Sequence, residues 1–283
     1  MPNFIDCRYD HLTDIDNTLY HFTNTKSFFS ILNDLTLKFS SFENLNDLNE
    51  ANLRNFEFDS KYKLCRDEFK KYIDENCGII SFSQDYKKGK FIVNGVNHPA
   101  LWAHYANNTD GVCIVIDKNL LIEKNKDILN KNNSFYCFES VTYGFNNAPK
   151  IDCKIESYLD FIRKNYKSLF FTKHEDWNNE CEYRLFVTNC NEKISIDGCI
   201  KYIVLGNKFY DNKINMVELI NRIATPCSSC FKKFIPNSFA MLIPYSGGYR
   251  ADSMLGVYDI EEVIKDSVCD FNKYLGWLKS FDR

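Results

Sequence analysis

The segment HPALWAHYANNTDGVCIVID, residues 98–117, predicts the centre of the fold. Pro99 suits the first turn of a helix, and helical spacing continues from there to residue 106. A polar turn that ends at Gly111 then leads into a run that is apolar on both faces. Since an interior strand of a sheet is buried on both sides, we predict that residues 111–117 form an interior strand.

Strand and helix patterns alternate on both sides of this segment. Alternation and enrichment in β-branched and aromatic residues predict strands over 18–22, 36–41, 78–83, 134–143, 181–188 and 199–205. Helical spacing predicts helices over 25–34, 60–76, 154–170 and 211–223. Helices alternate with strands early in the chain and strand-rich segments come later. The pattern therefore predicts an α+β fold with one mixed, strongly bent sheet flanked by helices.

The chain changes character after residue 207. It contains TPCSSC, IPNS and IPYSGG and ends in the amphipathic segment FNKYLGWLKSF. We therefore predict a main domain over residues 1–207, followed by a small helical extension over residues 208–283 that packs on it.

Composition limits the classes of function. Of the 283 residues, 45% are hydrophobic and 16% aromatic, which is ample for a large core. The net charge is −3 and the charges are scattered, so we expect no binding to generic duplex DNA. The N-terminal residues do not resemble a signal peptide, and no apolar run approaches the roughly 18 residues of a membrane span. We therefore expect a cytoplasmic protein without a membrane partner.

Cysteines are numerous but do not follow a metal-binding pattern. The chain has 12 of them, spread from Cys7 to Cys269, and a single CxxC pair at Cys227 and Cys230. Structural zinc usually needs a second close pair of ligands. We therefore expect reduced thiols and predict no metal site.

Three polar stretches predict a site. His21 ends a short apolar run and is followed by Thr23. In GIISFS, residues 78–83, alternation places Ser81 and Ser83 on one face of a strand. Tyr105 follows the helix that begins at Pro99. Each of these side chains is either satisfied within the core or exposed to a ligand pocket.

The segment EDWNNECEYRLFV, residues 175–187, is the most informative of the polar stretches. Its alternation places Glu180, Glu182 and Arg184 on one strand face, where the two carboxylates repel each other unless cations or solvent are near. A carboxylate held in this way suits a reaction that develops positive charge, such as an oxocarbenium ion. The alternative is an exposed edge on which the carboxylates pair with Arg184 and a lysine. In a pocket, the pattern predicts that Glu182 lies deeper than Glu180 and that Glu182→Gln costs little stability.

The order of these motifs resembles a bacterial and phage family classed as a domain of unknown function. Its hallmark is a W-x-H-Y-A segment that ends in G-V-C-I-x-x-D, and the likeness covers roughly residues 18–207. One departure is L-N-D-L-N-E in place of F-N-D-P-[FL]-E, which keeps Asn46, Asp47 and Glu50.

A second resemblance is to ADP-ribosyltransferase folds. The stretch LYHFT is similar to their opening strand, SFS to their Ser-x-Ser motif and ECE to their Glu-x-Glu strand. The resemblance implies an ADP-ribosyltransferase-like fold with NAD as the substrate. It implies that His21 binds NAD beside Thr23, that Ser81 and Ser83 order the pocket, and that Tyr105 stacks on nicotinamide. Glu182, with Glu180 two residues before it, is then the catalytic carboxylate.

Three functions follow from these observations. The first is an ADP-ribosyltransferase-like enzyme that cleaves NAD and transfers ADP-ribose to an unidentified acceptor, as a toxin or an anti-phage effector. The second is a non-catalytic module that binds a nucleotide or a partner, as a sensor or regulatory subunit in bacterial or phage defence. The third is a nuclease that uses Asp47, Glu50 and Glu180 with a divalent cation. The sequence leaves all three open.

Overall fold

The computed structural model describes most of the chain before residue 225 and two later segments. The described residues are 17–45, 47, 57–58, 63–88, 91–93, 95–131, 134–144, 150–151, 155–189, 193–224, 238–242 and 255–259. Asn46, Glu50 and the cysteines Cys227 and Cys230 therefore lie outside the described residues.

An eight-stranded sheet forms the centre of the protein. In spatial order its strands are β16 (Leu255–Asp259), β15 (Ser238–Leu242), β14 (Ile200–Leu205), β7 (Val112–Asp117), β1 (Thr18–Thr23), β4 (Cys77–Gln84), β12 (Glu182–Thr188) and β8 (Tyr136–Ser140). Strands β14 and β15 are parallel, and all other neighbours in the sheet are antiparallel.

Helices and short ladders surround this sheet. The helices are α1 (Thr25–Asp34), α2 (Lys63–Asn76), α3 (Pro99–His104), α4 (Lys118–Leu129), α5 (Tyr158–Phe170), α6 (Asn207–Asp211) and α7 (Lys213–Ala224). Short 3-10 helices cover Phe42–Asn44, Gly95–Asn97 and Glu175–Glu180. Two-stranded ladders join β2 (Thr36–Lys38) to β13 (Lys193–Ser195), β3 (Glu57–Phe58) to β10 (Lys150–Ile151), β5 (Tyr86–Lys88) to β6 (Phe91–Val93), and β9 (Thr142–Tyr143) to β11 (Thr172–Lys173). The prediction of an α+β fold, with a large sheet flanked by helices, is confirmed.

Strand β7 lies in the interior of the sheet, as its sequence predicts. It pairs with β1 on one side and β14 on the other, and its residues from Val112 to Ile116 are fully buried. Val112, Ile114 and Ile116 join the core on one face, which includes Phe28 and Leu32 of α1. Cys113 and Val115 join the core on the other face, beside Trp102 of α3.

Two of the departures from the predicted elements add a helix and strands that the sequence pattern did not predict. Helix α4 was not predicted, although Asp117 accepts a hydrogen bond from the Leu120 backbone N–H at 2.9 Å and so caps its first turn. Residues after 207 were predicted to be helical, but they supply β15 and β16 as well as α6 and α7. The physical reason is that the outer edge of β14 offers unpaired backbone groups, which β15 satisfies. No helix in the described part of the chain is long and apolar enough to cross a membrane.

Candidate functional site

A cavity of about 220 Å³ opens where β1 and β4 separate. The two strands pair at Leu19 with Gln84 and at Tyr20 with Ser83. Backbone pairing between the two strands stops at the next residue, His21. There the contact with β4 is made by the side chain, whose Nδ1 lies 3.2 Å from the carbonyl oxygen of Ser81. The cavity is lined by residues from β1, β2, β4, α3, β11, β12 and the segments next to them.

His21 is held at the wall of this cavity in one tautomer. A carbonyl oxygen accepts and cannot donate, so the hydrogen on Nδ1 points to Ser81 and the neutral ring keeps an acceptor at Nε2. The ring also makes an edge contact with Phe82, with centroids 5.8 Å apart. Burial lowers the pKa of His21 below its usual value, although the contact with Ser81 works in the opposite direction. His21 is therefore neutral at physiological pH.

Glu182 is a buried and ionised carboxylate. It begins β12 opposite Ser83 of β4, and its residue surface is 4% exposed. Arg184 binds it with two hydrogen bonds, from Nε at 2.7 Å and from Nη2 at 2.8 Å. Burial alone raises the pKa of Glu182, but the charges of Arg184 and Lys173 and a hydrogen bond from Ser81 outweigh it and bring the pKa to about 2.

Arg184 lies inside the protein. Strand β12 is flanked by β4 and β8, and Arg184 is 1% exposed. Its Nη1 donates to the carbonyl oxygen of Phe170 at 2.5 Å, in addition to the two bonds with Glu182. The alternative of an exposed edge is therefore wrong, although its pairing of the two carboxylates with Arg184 and a lysine, Lys173, is present.

Glu180 faces the same cavity from outside the strand. It is the last residue of the 3-10 helix Glu175–Glu180, and Cys181 adopts a left-handed conformation with φ of 45° before β12 begins. Its carboxylate accepts hydrogen bonds from the Tyr105 hydroxyl at 2.6 Å and from Lys173 Nζ at 2.5 Å. Glu180 is 7% exposed, so both carboxylates are buried.

Lys173 is the cation that the sequence did not identify. Its Nζ lies 2.5 Å from Glu180, 3.3 Å from Glu182 and 4.7 Å from the centre of the Trp177 ring. The spacing of the carboxylates predicts that a cation must be near, but several lysines are candidates. Pairing of β11 with β9 places this one, which no local pattern reveals.

The structure brings six of the seven predicted site residues to one cavity: His21, Ser81, Ser83, Tyr105, Glu180 and Glu182. Ser83 donates to the backbone carbonyl of Glu180 at 2.8 Å and so fixes the start of β12 against β4. Thr23 lies elsewhere. It is buried where β1 pairs with Val112, beyond the point at which β1 and β4 separate.

A strained turn holds Tyr105 in place. Tyr105 follows α3, which Trp102 anchors by donating to the carbonyl of Val96 at 2.7 Å. The next turn has three consecutive left-handed residues, Asn107, Asn108 and Thr109, with φ of 47°, 53° and 72°. Such backbone is tolerated by glycine and asparagine but is unfavourable for a β-branched residue such as Thr109, and it persists where its surroundings impose it.

Close packing around Gly111 and Gly206 imposes this turn. A Cβ atom at Gly111 would lie 2.2 Å from the carbonyl oxygen of Thr23, and one at Gly206 would lie 2.1 Å from that of Thr109. The Gly206 N–H also donates to the Gly111 carbonyl at 3.0 Å. The turn is therefore fixed to the loop after β14.

The predicted nuclease site is not assembled in the described residues. Within the described ranges, no group of three or more histidine, cysteine, aspartate or glutamate residues is arranged to hold a metal ion. Asp47 is buried, but it is not among the residues that line the cavity with Glu180. The third residue of the proposed set, Glu50, lies outside the described residues.

Comparison with known proteins finds a family model that matches part of the chain. No curated protein and no solved structure matches the chain. The segment that the family model matches runs from Leu101 in α3 to Leu185 in β12. It includes Tyr105, Lys173, Glu180 and Glu182 but not His21. Residues 101–185 match the model of a family described as a protein of unknown function, DUF2971.

Proposed function

We propose that this cavity binds NAD and that the protein is an ADP-ribosyltransferase-like enzyme, which cleaves the bond between nicotinamide and ribose. The observation that carries the proposal is the adjacency of three strands. Strands β1, β4 and β12 are neighbours in the sheet, and they bring His21, Ser81 and Glu182 to one cavity. These are the residues that the likeness to ADP-ribosyltransferase folds assigns to NAD.

Glu182 would supply the electrostatic part of the reaction. When the bond from nicotinamide to the ribose carbon breaks, its electron pair leaves with the nicotinamide nitrogen and positive charge develops on the ribose. Glu182 stays ionised because of Arg184 and Lys173, with its pKa lowered to about 2. A preorganised negative charge beside the ribose lowers the barrier, and a nucleophile of the acceptor then adds to the carbon and loses its proton.

The other residues would bind and orient the substrate. His21 offers its neutral Nε2 to a ribose hydroxyl because Nδ1 is already bonded to Ser81. The Tyr105 ring is held by the bond from its hydroxyl to Glu180 and offers an aromatic surface to a planar ring. The cavity, at about 220 Å³, is smaller than the roughly 300–1,000 Å³ of typical ligand pockets, so we expect it to enclose one half of the dinucleotide.

A second candidate function is a non-catalytic module that binds a nucleotide or a partner. The pairing of Glu182 favours it. The two negative charges of Glu180 and Glu182 are balanced by the two positive charges of Lys173 and Arg184. The nitrogen–oxygen distances of these ion pairs are 3.3 Å or less. Such a neutral buried network serves binding and structure without a net field on a developing cation.

The two candidates are separated by incubating the purified protein with NAD and measuring released nicotinamide. We expect release by the wild type and a loss of two to three decades in rate for Glu182→Gln, which corresponds to about 3–4 kcal/mol of barrier. Glu139→Gln is the matched control, because Glu139 is on the neighbouring strand β8, outside the cavity.

His21→Ala provides a second variant in case Glu182→Gln unfolds, since His21 is only half-buried. We expect it to weaken NAD binding while the melting temperature stays close to that of the wild type. Binding of NAD without release of nicotinamide would support the binding module instead. Equal release by all four proteins would contradict the assignment of Glu182 and His21.

A further inference from the structure

Lys173 lies between Glu180 and Glu182 on the wall of the cavity. Its Nζ contacts Glu180 at 2.5 Å and Glu182 at 3.3 Å, and its side chain is 5% exposed. The Trp177 ring, 4.7 Å from the same nitrogen, provides a further favourable contact for the cation. The ammonium is therefore held at one point by three groups, and it has little freedom to reach into the cavity.

The two carboxylates depend on Lys173 to different degrees. Glu182 is already bound by Arg184 through two hydrogen bonds. Glu180 instead receives Lys173 on one oxygen and the Tyr105 hydroxyl on the other. Removal of the Lys173 charge therefore leaves Glu182 with its arginine but deprives Glu180 of this ion pair.

We propose that Lys173 is a positioning residue, which fixes Tyr105 on the cavity wall by holding Glu180 beside it. The inference rests on the proposed function in that the positioned ring is the one that would contact nicotinamide. Although Lys173 lines the cavity, its role on this inference is to act through Glu180 and not by contact with the substrate. A buried carboxylate without its cation repels Glu182 and moves toward solvent, and the Tyr105 hydroxyl then loses the hydrogen bond to Glu180.

This arrangement predicts that a second substitution rescues the first. Glutamine at position 180 carries no charge and needs no cation, but its amide oxygen still accepts the hydrogen bond from the Tyr105 hydroxyl. The double variant Lys173→Met/Glu180→Gln therefore keeps the two features that the site needs, namely the contact to Tyr105 and the pair of Glu182 with Arg184. A residue that touched the substrate could not be replaced in this way.

The experiment compares four proteins: wild type, Lys173→Met, Glu180→Gln and the double variant. Lys193→Met is the matched control, because Lys193 makes an ion pair of similar length, 2.6 Å to Asp34, at a half-exposed site. The measurements are the melting temperature, the rate of nicotinamide release and the ¹⁹F chemical shift of 3-fluorotyrosine incorporated in place of Tyr105. The ¹⁹F signal reports the position of the ring without any ligand.

For Lys173→Met we expect a displaced ¹⁹F signal and a loss of nicotinamide release on the order of 100-fold, as for a misplaced substrate contact. We expect the double variant to recover the wild-type signal and to release nicotinamide within about 3-fold of the Glu180→Gln rate. We expect Lys193→Met to resemble the wild type in all three measurements.

Two results would overturn the inference. An unchanged ¹⁹F signal in Lys173→Met would show that Lys173 does not position Tyr105. A double variant that recovers the signal and the melting temperature but releases nicotinamide far more slowly than Glu180→Gln would show that Lys173 contacts the substrate itself. If the wild type releases no nicotinamide, the proposed function fails, and the ¹⁹F comparison still decides the role of Lys173.

Discussion

At the scale of single residues, the main feature is a cluster of four buried charges. Lys173 and Arg184 are balanced against Glu180 and Glu182, and each of the four is less than 10% exposed. Such pairs contribute little net stability compared with an apolar core, but removal of one member is costly because it leaves a charge buried without its partner. The cluster therefore makes the site sensitive to conservative substitutions.

Glu182→Gln tests this sensitivity. The sequence pattern predicts a small cost, since the change relieves repulsion with Glu180, but the two hydrogen bonds from buried Arg184 lead us to expect about 3–5 kcal/mol at pH 7. The pKa of Glu182 is lowered from 4.5 to about 2, so its ionised form stabilises the folded protein above pH 4.5. That contribution is lost as the pH falls through about 2.

Urea unfolding of the wild type and Glu182→Gln between pH 7 and pH 2 measures this effect. We expect the difference in free energy of unfolding to be largest above pH 4.5 and to shrink toward pH 2. Glu218→Gln is the control, because its ion pair with Arg222 is partly exposed and is worth under about 1 kcal/mol. A difference that does not change with pH would contradict the ionised state of Glu182.

At the scale of elements, the turn after α3 connects the core to the site. Trp102 anchors the helix in the core, Tyr105 contacts Glu180, and the left-handed residues Asn107, Asn108 and Thr109 return the chain to β7. A β-branched residue is especially unfavourable in this conformation. The turn therefore stores strain next to the proposed site, as functional sites often do.

Thr109→Gly is expected to raise the free energy of unfolding by about 0.5–1 kcal/mol, because relief of the left-handed strain exceeds the entropic cost of glycine. Asn108→Gly is the matched comparison, with φ of 53° instead of 72°. Asparagine tolerates this conformation, so we expect a gain close to zero there. Chemical denaturation measures both variants, and a loss of stability in Thr109→Gly alone would show that the turn is not strained.

The elements also show how far the sequence predicts this protein. Strands β1, β4, β7 and β12 follow from alternation and apolar runs, because each pattern is local. Their order in the sheet does not follow, since Ser83 of β4 pairs with Tyr20 of β1, 63 residues before it, and with Glu182 of β12, 99 residues after it. Glu182 could be predicted because the spacing of its segment is a local pattern. Lys173 was missed and Thr23 was wrongly placed in the site, because the positions of both depend on how distant strands pair.

At the scale of the whole molecule, the cavity is a consequence of how the central sheet separates. Strands β1 and β4 pair at two positions and then part, while β7 and β12 hold them from the outside over six and seven residues. The opening is thus supported on both sides by continuous ladders. Polar and charged side chains can line it because the apolar cores on the two faces of the sheet stabilise the fold.

The most direct test of the proposed NAD site is a crystal structure of the protein with a non-cleavable NAD analogue. We expect the nicotinamide and its ribose between His21 and Tyr105, with a ribose hydroxyl within hydrogen-bonding distance of Glu182, and the second nucleotide outside the cavity. Density for the analogue at another surface, or an empty cavity at saturating analogue, would contradict this account.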